Sequence, residues 1–271
     1  MEKEYKYDLS IVTIVYNGDK FIEQTVNSVL SQKKSTIQYI VIDGGSIDKT
    51  KTILNKYRDE IDILICEPDD GIYNAINKGI TSAEGKYITL LHCGDYYDDN
   101  ALENIFTAAK LYNSSILYSD IYRIEDVGSL YVKKRVTPDH KLLTKRMSIF
   151  HPSTLVLNQI YKLHGLYSED YKLASDYDFF LKLYINGVDF KYLPICYVNF
   201  RTDGISSKSK HLSLQENFKI RQKRLGIIKA AVYYFNASLI LKFYELRKKI
   251  FILSFGEKYY NRLKIRSYQN E

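Results

Sequence analysis

Tryptophan is absent from this 271-residue chain, and cysteine, methionine and proline number only three, two and four. Cys66, Cys93 and Cys196 lie far apart with no paired spacing. That argues against a disulfide framework or a cysteine zinc site and points to a reducing compartment. No uninterrupted apolar run approaches the ~20 residues that a membrane-spanning helix needs. The opening MEKEYKYDLS is charged and lacks an apolar core, so no secretory signal is expected and the protein is placed in the cytoplasm. There is also no G-x-G-x-x-G after the first strand and no Walker lysine loop, so neither a dinucleotide fold nor a P-loop cradle is indicated.

What is abundant is tyrosine, with 26 residues. A Tyr ring buries while its hydroxyl stays hydrogen-bonded, which suits polar ligands and interfaces; a compositional bias of the genome gives the same count. Charge is divided unevenly. Residues 208–271 hold 15 Lys/Arg against 4 Asp/Glu, a net +11, whereas the preceding residues sum to −4. An acidic body with a basic tail suggests two jobs in one chain.

The first half alternates strand and helix patterns. IVTIVY (11–16), a short β-branched run, reads as a strand buried on both faces, and IQYIVID (37–43), IDILIC (61–66) and KYITLL (86–91) read as further strands. Helices are expected between them: one carrying Phe21, Ile22, Val26, Val29 and Leu30, one over about 48–57, and one over 72–80. Such alternation across short connections implies right-handed βαβ units and a mostly parallel sheet. After a further helix to about Tyr112, ILYSDIYRI (116–124) is strand-like, with a hairpin expected near Gly128. The pattern is then mixed until the helix SDYDFFLKLYING (175–187), which Gly187 stops.

In an open parallel sheet, ligands bind beyond the carboxyl ends of the strands. Four such ends deliver Tyr16-Asn17, Asp43-Gly44-Gly45-Ser46, Glu67 to Gly71 and His92-Cys93-Gly94-Asp95 to one rim. A nucleotide there would be held by carboxylates and backbone. Asp43 suits a base edge, and a divalent cation suits a bridge from carboxylate to diphosphate.

The segments SIVTIVYNGDKFIE, IQYIVIDGGSIDKT, EPDDGIYNAINKG, GKYITLLHCGD and ASDYDFFLKL resemble, in order and spacing, the successive motifs of family 2 glycosyltransferases with the GT-A fold. The resemblance covers about residues 8–205, and EPDDGIYNAINKG is most like the branch that builds bacterial capsule, O-antigen and other surface polysaccharides. It implies an α/β, Rossmann-like GT-A sheet flanked by helices, with a catalytic domain over 1–207 and a basic helical extension over 208–271.

It further implies an inverting transfer from a nucleotide diphosphate sugar, as a UDP-hexose or UDP-N-acetylhexosamine, to a hydroxyl of a glycan or lipid-linked acceptor. Val15, Tyr16, Asn17, Ser46, Cys93 and Gly94 would line the nucleotide-sugar pocket, although the Cys93 thiol reads as inert packing. Asp43 would contact the base, while Asp70, Gly71, Asn74 and Lys78 would face the same cleft. Helix capping is the competing role for Asp70 and Asn74, and a solvated surface charge for Lys78.

HCGD stands where the family carries an Asp-x-Asp metal motif. Asp95 matches its final carboxylate, a ligand for Mn2+ or Mg2+, and His92 is a second candidate ligand. Asp176 matches the family's catalytic base, with Asp178 as rival and helix capping as its alternative role. His151 would lie near the acceptor or leaving group. RTDGISS (201–207) reads as a loop that closes over the donor or as a plain linker.

In the tail, 211–225 reads as a basic amphipathic helix, and 227–255 alternates apolar blocks with Lys229, Asn236, Lys242 and Arg247-Lys248-Lys249. Two uses fit: peripheral contact with the cytoplasmic face of the inner membrane, or packing on the protein itself or in a homodimer. The apolar blocks are too large for an open nucleic-acid surface, so no nucleic acid partner is expected. Competing readings of the whole chain are a nucleotidyltransferase, and a weakly active or dead relative that serves as a membrane- or partner-binding module.

Overall fold

The computed structural model describes residues 5–112, 114–127, 130–202, 209–256, 259–263 and 265. The expected hairpin tip at Gly128 and residues 203–207 of the RTDGISS segment lie outside these. By packing, the chain divides into two units, Met1–Ile121 with Thr137–Phe200, and Tyr122–Val136 with Arg201–Glu271.

The first unit is an α/β sheet flanked by helices. Strand β1 (Tyr7–Val15), β2 (Ile37–Asp43), β3 (Ile63–Cys66) and β4 (Gly85–Leu90) run in the order β3-β2-β1-β4, all parallel. All seven residues of β2 are buried, so its apolar residues fall on both faces rather than alternating, and Gln38 and Asp43 are its two polar members. The register matters for function: Val15, Asp43 and Cys66 are direct partners, which sets the three strand ends side by side.

Helix α1 (Ile22–Leu30), α2 (Thr50–Asn55) and α3 (Ile72–Thr81) form the crossovers. Helix α2 is shorter than the expected 48–57, because Asp48 and Lys49 are taken up in a turn in which Oδ1 of Asp48 accepts the Thr50 N–H at 2.9 Å. α3 packs directly on β1 at Gly79, where a Cβ would overlap the side chain of Val12.

Beyond β4 the sheet continues through β8 (Thr154–Leu157), β6 (Ile116–Val127), β9 (Phe190–Arg201) and the short β5 (Tyr96–Tyr97), with β8 antiparallel to both β4 and β6, and β5 antiparallel to β9. Helices α4 (Ala101–Leu111), α5 (Asn158–His164) and α6 (Ser175–Ile185) complete this unit. Gly187 follows α6 at φ +71°, a left-handed conformation that favours glycine and ends the helix.

In the second unit β7 (Leu130–Val136) pairs with β6, and Arg201 meets Asp126 at 2.8 Å. Helix α7 (Lys210–Leu225) turns at Gly226 (φ +88°) into α8 (Ile227–Phe255), one continuous helix despite its charged interruptions. The two form an antiparallel hairpin, with Phe218 against Tyr234 at 5.2 Å and Arg221 over the Tyr233 ring at 5.4 Å. Among the described residues no helix is long and apolar enough to cross a membrane.

Candidate active site

The rim begins where β1 ends. Asn17 takes a left-handed turn (φ +51°), and its Oδ1 accepts the Ile47 N–H at 2.9 Å. Its own N–H donates to Ser46 Oγ at 2.8 Å, and Ser46 in turn donates to Asp43 Oδ1. The Ser46 N–H donates to the same oxygen at 3.0 Å. Asp43 is wholly buried, and its Oδ2 has no hydrogen-bond partner among the described residues. A buried carboxylate oxygen left open is costly unless a ligand donor completes it. Gly18 and Asp19 N–H groups donate to Thr50 and Asp48, so the β1 and β2 loops hold each other. Tyr16 is 65% exposed, an open ring at the mouth.

The β3 loop adds an ion-pair cluster. Lys78, on the last turn of α3, lies 2.6 Å from Asp69 and 2.7 Å from Glu67. These hydrogen bonds, Asp69's first, raise the lysine's pKa above its ordinary value. Asp69 points inward: a Cβ on Gly44 would come within 2.8 Å of its Oδ2. Asp70 faces solvent beside Gly71, which takes φ +128°. Of the two adjacent aspartates, the sequence singled out Asp70; Asp69 is the one wired into the loop.

α3 then ties this loop to the far half of the unit. Asn74 donates to Glu169 at 3.3 Å, and Asn77 donates to Glu169 at 3.0 Å and to the Tyr167 carbonyl at 2.9 Å. The Tyr73 hydroxyl donates to Asp176 Oδ1 at 3.2 Å, and the Tyr177 N–H donates to the same oxygen at 2.8 Å. Burial, then the neighbouring Asp176 charge, raises the Tyr73 pKa well above ordinary, so the phenol keeps its proton as donor. Asp176 is part-exposed in the first turn of α6, whereas Asp178 is buried. Of the two, Asp176 is the more open to solvent. Tyr73, Asp69 and Glu169 were not singled out in the sequence; Tyr73 lay inside a quoted motif, but its partner is a hundred residues away.

At the end of β4, Thr25 of α1 fixes the His92–Asp95 loop: its Oγ1 accepts the Gly94 N–H at 3.1 Å and donates to the Asp95 carbonyl at 2.8 Å. Gly94 is left-handed at φ +102°, and Asp95 is 4% exposed. Cys93 packs on Gly18, where a Cβ would come within 2.5 Å of its sulfur. Burial, then the Asp95 charge, pushes its thiol up to about 12, so it stays protonated.

The His92 ring meets His151 edge-on at 5.8 Å, and His151 meets Tyr167 at 5.3 Å. Tyr167 stacks on Tyr73 at 5.9 Å. This chain of rings links the HCGD loop to Tyr73 and Asp176. Burial, then His151, pushes the His92 pKa down to about 3, and burial pushes His151 down to about 4, so both are neutral near pH 7. Nδ1 of His92 and Nε2 of His151 have no hydrogen-bond partner among the described residues.

A mostly parallel α/β sheet flanked by helices, with carboxylates gathered at its strand ends, is the architecture of a glycosyltransferase of the GT-A type. Residues 10–168 match glycosyl transferase family 2, and the chain belongs to that family. It is 32% identical over 194 residues to an uncharacterised glycosyltransferase of Rickettsia typhi, covering 67% of this chain and 60% of that protein. It is 28% identical over 249 residues to the hyaluronan synthase of Pasteurella multocida, covering 90% of this chain and a quarter (25%) of the synthase.

Among solved structures it resembles S. aureus TarS 1–349 in complex with UDP-GlcNAc (TM-score 0.65, 19% identity, 83% of this chain and 66% of that one). It also resembles the mannosyltransferase PcManGT of Pyrobaculum calidifontis in complex with GDP-Man and Mn2+ (TM-score 0.61, 12% identity, 98% and 88%). At these identities the structural likeness speaks to the fold. The chain thus spans about 60% of the length of the Rickettsia relative.

Proposed function

We propose that the chain transfers a hexosyl or N-acetylhexosaminyl group from a UDP-sugar, with inversion, to a hydroxyl of a glycan or lipid-linked acceptor in the synthesis of a bacterial surface polysaccharide such as capsule or O-antigen. Residues 1–207 would carry the chemistry at the cytoplasmic face of the membrane, and 208–271 would serve as an appendage. The observation that carries this reading is a pair of side-chain links: Ser46 joins Asn17 to Asp43, and Tyr73 joins the Asp69–Gly71 loop to Asp176.

In this reading the open Oδ2 of Asp43 accepts from the base, with Val15, Tyr16 and Asn17 bordering the nucleoside. Asp70, Gly71, Asn74 and Lys78 flank the donor, and Gly94 lets backbone approach it. Asp176 takes the proton of the acceptor hydroxyl as that oxygen attacks the anomeric carbon. The new C–O bond forms while the bond to the diphosphate breaks on the opposite face, so the electron pair leaves with the nucleoside diphosphate and configuration inverts. His151 lies beside this path.

Asp95 would hold Mn2+ or Mg2+, with His92 as second ligand, since neutral imidazole is the form that binds a metal. Among the described residues no three His, Cys, Asp or Glu are grouped to cage an ion. Diphosphate oxygens and water would therefore complete its shell. When bound, such an ion neutralises charge growing on the leaving diphosphate. The test is a thermal-shift screen of UDP- and GDP-sugars with manganese. The true donor raises the melting temperature by mass action; no shift with any nucleotide sugar counts against the reading.

A further inference from the structure

The face of α8 turned away from α7 is apolar and open. Ala230, Tyr233 and Tyr234 face the hairpin partner, as the Phe218–Tyr234 and Arg221–Tyr233 contacts show. On the opposite side Val232, Phe235, Leu239, Phe243, Leu246 and Ile250 recur at steps of three and four, each between 51% and 64% exposed. At 100° per residue they fall within about 80° of arc and run ~27 Å along the helix. A stripe of this size and continuity is not an ordinary solvated surface.

Charge selects the occupant. Lys242 and Lys249 border one edge of the stripe, and Lys229 and Arg247 the other, all exposed. The Arg247 guanidinium lies 5.8 Å from the Phe243 ring. The one acidic residue on α8, Glu245, lies 3.7 Å from His211 of α7 on the hairpin side. A second copy seated on this stripe would set these cations against its own, with no acidic row to meet them. An anionic lipid surface meets apolar centre and basic flanks together.

We propose that this stripe is a lipid-docking face, on which α8 lies along an anionic bilayer with the six apolar side chains in the acyl boundary and the four cations among phosphates. It stands on the surface of the helical unit alone and does not depend on the sugar-transfer reading.

The test is co-sedimentation of the full chain with phosphatidylcholine vesicles, with and without about one third phosphatidylglycerol. Pelleting should need the anionic lipid and fall as salt rises. Phe235→Glu with Phe243→Glu should cut it tenfold or more, and so should Lys242→Glu with Lys249→Glu. All four positions are exposed, so both variants should keep the wild-type circular dichroism and melting temperature. Absence of pelleting with anionic vesicles overturns the proposal, as does pelleting that survives both variants. A dimer in sedimentation equilibrium that the phenylalanine variant dissolves, without vesicle binding, also overturns it and assigns the stripe to a second copy.

Discussion

The Tyr73 hydroxyl lies 3.2 Å from Oδ1 of Asp176, a residue 103 positions further along the chain. It joins the loop proposed to flank the donor to the carboxylate proposed as base. Tyr73→Phe removes this donor and leaves the Tyr177 N–H in place. A hydrogen bond to a charged group is worth about 1.5–3 kcal/mol. Turnover should therefore fall about tenfold or more, with the donor-induced thermal shift retained. Steady-state kinetics beside thermal shift checks this; a fall in donor binding with unchanged kcat contradicts it.

Ser46 is the hinge of the nucleotide side, since its hydroxyl accepts from Asn17 and donates to Asp43. Ser46→Ala leaves the Asn17 N–H without its acceptor and strips one of two donors from Asp43 Oδ1. The expected loss is about 1–3 kcal/mol, read as weaker nucleotide binding by calorimetry and a lower melting temperature. Unchanged affinity would separate this network from the donor site.

Gly79 tests the seam between α3 and β1. Alanine gains up to about 1 kcal/mol of helix propensity over glycine, but its Cβ would overlap Val12. Overpacking of this kind costs about 1–3 kcal/mol. Gly79→Ala should therefore lower the melting temperature, and adding Val12→Ala should recover part of it. Non-additivity of that sign is the readout.

Asp95→Ala addresses the ion. In the wild-type chain manganese should enlarge the thermal shift given by the donor, and the variant should lose that increment while keeping the metal-free part. An increment that survives in Asp95→Ala removes Asp95 from the metal's shell.

Much of the parallel half was legible in the chain. β2 occupies the expected 37–43, and α3 spans Ile72–Thr81 against an expected 72–80. The buried strands are rich in β-branched residues, as Ile40-Val41-Ile42 of β2 is, and such runs have few competing readings. Edges were less legible: β3 starts at Ile63 rather than Ile61, since the Ile61 N–H bonds Tyr57 in the turn before it. The antiparallel strands β5, β8 and β9 were not marked out, because β5 and β8 are short and all three pair with strands far away in the chain, such as Tyr87 with Leu157 and Tyr96 with Asn199, which leaves no local period.

The site was legible as strand ends but not as wiring. Choosing Asp69 over Asp70 needs the loop's inward turn against Gly44, and seeing Tyr73 beside Asp176 needs the fold.

The account's central claim is that one cleft binds the sugar nucleotide and also presents Asp176 to the acceptor. Asp176→Asn keeps size and shape while removing the proton acceptor, and general-base catalysis contributes about 10²–10⁴-fold. Donor binding by thermal shift should match wild type, while transfer falls by at least the lower of those factors. Transfer at the wild-type rate by Asp176→Asn would contradict the assignment of the base and, with it, the division of roles across the cleft.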